Sequence, residues 1–181
     1  MSALDELIYD RTQTDVTYAA ELSRKLGRGE ALTAEELADW NAGLKGAYNA
    51  ADMNRVDAAV RELGGMLTTA GYPVRYTSPI PQPEPEPTKT EFEIGDIIAY
   101  EIWRTYLDNV QSIRDAYYAM PDSPELPEPT APLTYDGANA IEKLLYDISQ
   151  LYDAMVASYR PCGAFKCGNN ARHLPLQRSV I

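Results

Sequence analysis

The sequence predicts an all-α protein built from two small helical units (helix hairpins or a bundle), an extended Pro-rich linker and an irregular C-terminal arm. Three observations carry that prediction. Apolar residues recur at three- and four-residue spacing in five separate segments. No segment alternates with period two, apart from a short stretch at residues 90–94. Two Pro-rich stretches, 73–90 and 121–132, divide the helical segments. The expected boundaries are an N-terminal helical unit at 1–72, the linker at 73–95, a C-terminal helical hairpin at 96–160 and a basic arm at 161–181.

The first helix is expected over residues 14–26, with Val16, Ala19, Ala20 and Leu22 on one side and Gly27 and Gly29 ending it. Thr33-Ala34-Glu35-Glu36 fits a capping box, which starts a short helix carrying Leu37 and Trp40 and ended by Gly43. The third helix, 50–70, has a stripe of Val56, Ala59, Val60, Leu63, Met66, Leu67 and Ala70. The linker carries Pro73, Pro79, Pro81, Pro83, Pro85 and Pro87, interleaved with Glu84 and Glu86. Proline fixes φ and removes the backbone donor, so this stretch is expected as an extended, contact-poor spacer of polyproline II type.

The fourth helix, 96–120, would be roughly 36 Å long at 1.5 Å per residue. Trp103, Tyr106, Val110, Ile113, Tyr117 and Met120 form its seam. The second Pro-rich stretch leads to a fifth helix, 137–159, with Ile141, Leu144, Ile148, Leu151 and Met155 widened by Leu145, Tyr152 and Tyr159. A shift of 85 residues superposes Asn54 on Asn139, Val56 on Ile141, Val60 on Leu145, Leu63 on Ile148 and Leu67 on Tyr152. Duplication of a helical unit and chance agreement between two amphipathic helices both account for that match.

Composition narrows the function. With 27 acids against 16 bases the formal charge is −11, which opposes binding to a phosphate backbone. No apolar run approaches the roughly 20 residues of a membrane span. The start of the chain lacks a basic region and an apolar core, so no secretion signal is expected there. The charge is uneven: no acid follows Asp153, whereas Arg160, Lys166, Arg172 and Arg178 do. That basic end reads less as a DNA-binding tail than as a contact with an acidic protein surface, this chain's own included. With Phe165, Leu174, Leu176, Val180 and Ile181 as anchors it is expected as an arm docking on a neighbouring subunit.

The search for chemistry is mostly negative. The one histidine, His173, lies in a polar tail with no rigid neighbour to orient it. Gly64-Gly65 lies inside an apolar stripe and not in a phosphate-binding loop. Cys162 and Cys167 are spaced for a small disulfide loop, worth about 2 kcal/mol, or remain free thiols. Together with His173 they supply three ligands where a structural zinc site takes four. The sequence therefore implies no catalytic residue, metal or cofactor. Tyrosine is abundant, 13 against 2 Phe, which suits core margins and interfaces alike. Trp103, Tyr106, Tyr117, Tyr152, Tyr159, Phe165, Arg172 and Arg178 are the interface candidates.

Four segments carry a resemblance. They are 10–16 (Asp10-Arg11-Thr12-Gln13), 43–56 (Tyr48-Asn49-Ala50-Ala51-Asp52-Met53-Asn54-Arg55), 106–114 (Tyr106-Leu107-Asp108-Asn109) and 133–145 (Asn139-Ala140-Ile141-Glu142). In this order they resemble a family of minor structural, tail- or baseplate-associated proteins of tailed phages and prophages of Firmicutes. The family has no assigned reaction. The resemblance implies a non-enzymatic virion component, most readily at the tail tip, baseplate or fibre attachment, assembled in the host cytoplasm. Its partners would be copies of itself and other virion proteins, with no nucleic acid or membrane and any host-surface contact indirect. A head or neck component is the alternative within that class; a phage-encoded cell-wall hydrolase or a soluble regulatory protein are the alternatives outside it. The match departs after the last helix: relatives tend to carry an aromatic–Gly–Glu repeat, where this chain reads Tyr159-Arg160-Pro161-Cys162-Gly163-Ala164-Phe165.

Overall fold

Residues 2–82 and 89–159 are described by a computed structural model. A 3-10 turn, Ala3–Glu6, is followed by α1 (Gln13–Gly27), α2 (Ala34–Ala42), α3 (Ala50–Thr69), α4 (Tyr100–Ala116) and α5 (Tyr135–Ser158). Among the described residues there is no strand, and the stretch 90–94 is irregular.

The helix starts follow from their caps. Thr33 accepts from the Glu36 amide while the Glu36 carboxylate accepts from the Thr33 amide, the reciprocal box expected from sequence. The same device starts α1 through Thr12 and Asp15 and α3 through Asn49 and Asp52. By contrast α4 has no side-chain cap and is shorter than expected at both ends. Its would-be starter, Asp96, accepts instead from the Glu93 amide (2.8 Å) and from Lys89 (2.5 Å), which makes a turn before the helix. At the other end Tyr117 is already extended, three residues before the restricted position that precedes Pro121.

The core helices run in one direction. At one end Tyr48, just before α3, shares a 2.6 Å hydroxyl–hydroxyl bond with Tyr106 in the first half of α4. Arg55 in α3 bonds Glu142 near the start of α5 at 3.0 Å. At the other end Tyr72, just after α3, packs edge-on against Tyr117 just after α4, with ring centroids 4.9 Å apart. The Tyr72 hydroxyl faces the Met155 sulfur near the end of α5 at 4.0 Å. Early residues thus meet early residues, and late meet late. Short connections make neighbouring helices antiparallel; three parallel helices need long returns, and the Pro-rich segments supply them.

The first return lies along α4 in the opposite sense. Arg75 donates to Ser112 (2.9 Å), and two residues on Thr77 meets Asn109, one turn earlier in the helix. Asn109 holds the Thr77 backbone from both sides, accepting from its amide at 3.0 Å and donating to its carbonyl at 2.7 Å. Asn54 does the same for Phe92, at 2.7 and 2.9 Å. Asn139 does it for Arg11, at 3.0 and 2.9 Å. These three asparagines act as clamps, each satisfying an N–H and a C=O of extended chain that has no ladder partner. This also explains why 90–94 is not a strand: both backbone groups of Phe92 are taken by a side chain.

Two sequence expectations need correction here. The described part of the linker has neither helix nor strand, and it is not a contact-poor spacer: Ile80 and Phe92 are buried and the clamps bind Thr77 and Phe92. Nor do 1–72 and 96–160 have separate cores, and 96–160 is not a hairpin, because α4 and α5 run parallel. One apolar cluster unites Val56, Val60, Leu63 and Leu67 of α3, Val110 and Ile113 of α4, and Ile141, Leu144, Leu145 and Ile148 of α5. Each such side chain contributes about 1.5–3 kcal/mol on full burial. Helices α1 and α2 add no residue to that cluster. They are tied to each other by the Lys25–Glu36 ion pair and by the Tyr18 hydroxyl donating to Asp39 (2.8 Å).

Candidate functional site

The end of the bundle where α3, α4 and α5 begin holds a buried charge cluster. Arg11 donates from Nη2 to Asp52 Oδ1 (2.9 Å) and to Glu142 Oε1 (2.7 Å). Arg55 donates to the same two oxygens, at 2.5 and 3.0 Å, and from Nε to Glu142 Oε2 at 3.1 Å. Glu142 Oε2 also accepts from the Ile8 amide (2.6 Å) and is wholly buried. Two guanidinium groups thus face two carboxylates, so the formal charge cancels inside the core. Asp52 couples the cluster to helix initiation, since its other oxygen accepts from the Asn49 amide at 2.9 Å.

Local sequence explains how the parts arrive. Asp52 and Arg55 are one turn apart on α3, and Glu142 follows Asn139 by one turn on α5. Arg11 is brought in by the Asn139 clamp and fixed by donating from Nε to the Lys45 carbonyl (3.1 Å) and from Nη1 to the Ile8 carbonyl (2.5 Å). The Tyr48 ring lies 5.4 Å from the Arg11 guanidinium carbon, within cation–π range. Gly46 lets the turn before α3 pass against the backbone of α1: a Cβ there would sit 2.0 Å from the Asp15 carbonyl oxygen.

The electrostatics suit permanence. Burial pushes the Tyr48 and Tyr106 hydroxyls well above their ordinary range. Burial opposes the Arg55 charge, but bonds to Glu142 and Asp52 outweigh it and raise the group further. A second buried acid, Asp57, accepts from the Tyr76 hydroxyl at 2.9 Å, with Arg61 Nε 3.0 Å from its other oxygen. Burial raises Asp57 above the usual carboxylate range and lifts Tyr76 to about 12, the nearby Asp57 charge adding to the effect. Among the described residues no three His, Cys, Asp or Glu side chains gather to hold a metal ion, and no helix is long and apolar enough to cross a membrane.

No protein-family model, curated protein or solved structure matches this chain.

The interface candidates divide. Tyr106 is 2% exposed and is a core residue, which corrects its expected role. Trp103 is half-buried and stacks on Tyr106 at 5.3 Å. Tyr117 is half-buried against Tyr72, and Tyr152 is half-buried against the core. Tyr159 is 71% exposed. Phe165, Arg172, Arg178, His173, Cys162 and Cys167 lie outside the described residues. The charge cluster itself was missed from sequence, although a signal was present: the 85-residue shift that pairs Asn54 with Asn139 also pairs Asp57 with Glu142, an acid in each apolar face.

The strongest exposed apolar feature also escaped the sequence reading. In the turn before α4, Ile94 is 99% and Ile97 86% exposed, with Ile98 and Tyr100 partly exposed beside them. Ile94 and Ile98 border a cavity of about 280 Å³ that Tyr48, Met53, Phe92 and Gly95 also line. Residues 89–101 hold four acids, Glu91, Glu93, Asp96 and Glu101, against the single base Lys89.

Proposed function

We propose that this protein is a non-enzymatic structural component of a tailed phage or phage-like particle, sited at the tail tip, baseplate or fibre attachment and acting by subunit assembly. One observation carries the proposal. The four segments that resemble the virion family converge at one end of the bundle: Arg11 from the first, Tyr48, Asp52 and Arg55 from the second, Tyr106 from the third, Asn139 and Glu142 from the fourth. The residues behind the resemblance are thus those that lock this architecture. The cluster's charges are paired with one another, and Arg11, Asp52 and Glu142 are buried, an arrangement that favours rigidity over turnover. The exposed isoleucines of the 94–97 turn give such a scaffold a place to bind.

The test is to purify particles through a density gradient from the host that encodes the chain, quantify this protein by mass spectrometry, and localise it by immunogold labelling. Stoichiometric presence with label at the tail end is expected. Label on the head or neck would move the protein to the alternative position, and absence from particles would end the proposal. Incubation with host cell walls should release no soluble sugar or peptide.

A further inference from the structure

We infer that the turn at residues 94–100, with the cavity behind it, is the docking site for the basic C-terminal segment, residues 160–181, of a second copy of the chain, joining copies head to tail. The inference is independent of the particle assignment, because it concerns self-association of the purified protein.

Charge and apolar content match on the two sides. The turn offers Ile94 and Ile97 to solvent. Of its four acids, Glu93 and Asp96 share Lys89, which leaves the stretch 89–101 with a net negative charge carried by Glu91 and Glu101 and the unbalanced half of that pair. The segment 160–181 has four bases, no acidic side chain, and Phe165, Leu174, Leu176, Val180 and Ile181. An apolar anchor for the cavity and bases for its acidic rim are what such a surface selects.

Position in the fold sets the geometry. The turn lies at the end where the three parallel helices begin, whereas α5, about 36 Å long at 1.5 Å per residue for 24 residues, ends at the opposite one. The bundle holds its own extended chain with Asn54, Asn109 and Asn139, and all three are already engaged. A contact between opposite ends of two copies is heterologous, so it propagates into a ring or a stack instead of closing as a dimer.

Two full-length variants test this. Ile94→Asp/Ile97→Asp alters exposed positions only and spoils the turn; Leu174→Asp/Leu176→Asp spoils the segment. By sedimentation velocity the wild type should self-associate beyond its 20.1 kDa monomer with rising concentration. Each variant should associate about tenfold or more weakly, with an unchanged circular dichroism spectrum. Mixed together, the two variants should form a complex of two chains and stop, since each retains one intact half of the contact. Raised salt should weaken the wild-type association. A wild type that stays monomeric at all concentrations, as docking within one chain would give, overturns the inference. So does association that survives either variant, a mixture that stays monomeric, or loss of the isoleucine pair affecting only binding to phosphatidylcholine vesicles.

Discussion

Helices α3 and α5 carry one pattern and use it differently. Each has an asparagine, then an acid three residues later, within a matched apolar face: Asn54 and Asp57 in α3, Asn139 and Glu142 in α5. Both asparagines clamp a passing extended chain. The acids part company. Glu142 meets Arg11, Arg55 and the Ile8 amide, whereas Asp57 meets a tyrosine hydroxyl and a half-exposed Arg61. The asparagine side chain, with one donor and one acceptor end, suits any backbone. The acid is decided by which chain faces it: the segment that Asn139 clamps brings Arg11 to Glu142, whereas Asp57 receives Tyr76 from the segment that Asn109 clamps. One position is therefore a charged lock and the other a buried acid held against its preference.

The largest break in that comparison is expected at Glu142. Glu142→Ala removes an acceptor shared by the buried Arg11 and the partly buried Arg55 and should cost about 3–5 kcal/mol in urea unfolding. Asp57→Ala should cost clearly less, because no buried cation is left unpaired. Equal losses would mean that the guanidinium partners add nothing.

The clamps come next. Asn139→Ala and Asn54→Ala each strip partners from one N–H and one C=O, and each should cost about 1–3 kcal/mol for the buried groups left unsatisfied. Asn139→Ala should be the worse of the two, since the Arg11 backbone also positions the charge cluster. Urea melts of the pair check the order.

The smallest effect separates the acids by pH. Burial raises the Asp57 carboxyl in the folded state above its unfolded value, so the folded protein binds that proton more tightly. Ionisation at neutral pH therefore costs stability, and the cost fades as pH falls through the folded pKa to below the unfolded value of about 4. Asp57→Asn keeps an acceptor for Tyr76 and cannot ionise. It should raise the melting temperature slightly at pH 7, with the gain shrinking toward pH 4. A gain that grew on acidification would contradict the burial of an ionised Asp57.

How much of this was legible follows from where each signal lies. The helical character of α1 to α5 was readable because spacing such as Val56, Val60, Leu63 and Leu67 is local, and the Thr33–Glu36 box fixed α2 for the same reason. The ends of α4 were overextended because Asp96 looked like a starter while its carboxylate is committed to Glu93 and Lys89. The parallel arrangement was not readable. An asparagine in a helix face looks merely neutral, and each clamp's partner lies far off in sequence, Arg11 for Asn139 and Phe92 for Asn54. The charge cluster was half-visible, since Glu142 interrupts a run of core positions, but its partner Arg11 had no local reason to be buried.

The central claim is that asparagine clamps fasten the extended chain to parallel helices and make one scaffold of them. Amide hydrogen exchange read residue by residue tests it most directly. The amides of Arg11, Thr77 and Phe92, all outside helices, each donate to a clamp asparagine. They should exchange far more slowly than unbonded amides in the same segments, and Asn139→Ala should release Arg11 while leaving Thr77 slow. Fast exchange at all three in the wild type would contradict the clamps and the parallel bundle built on them.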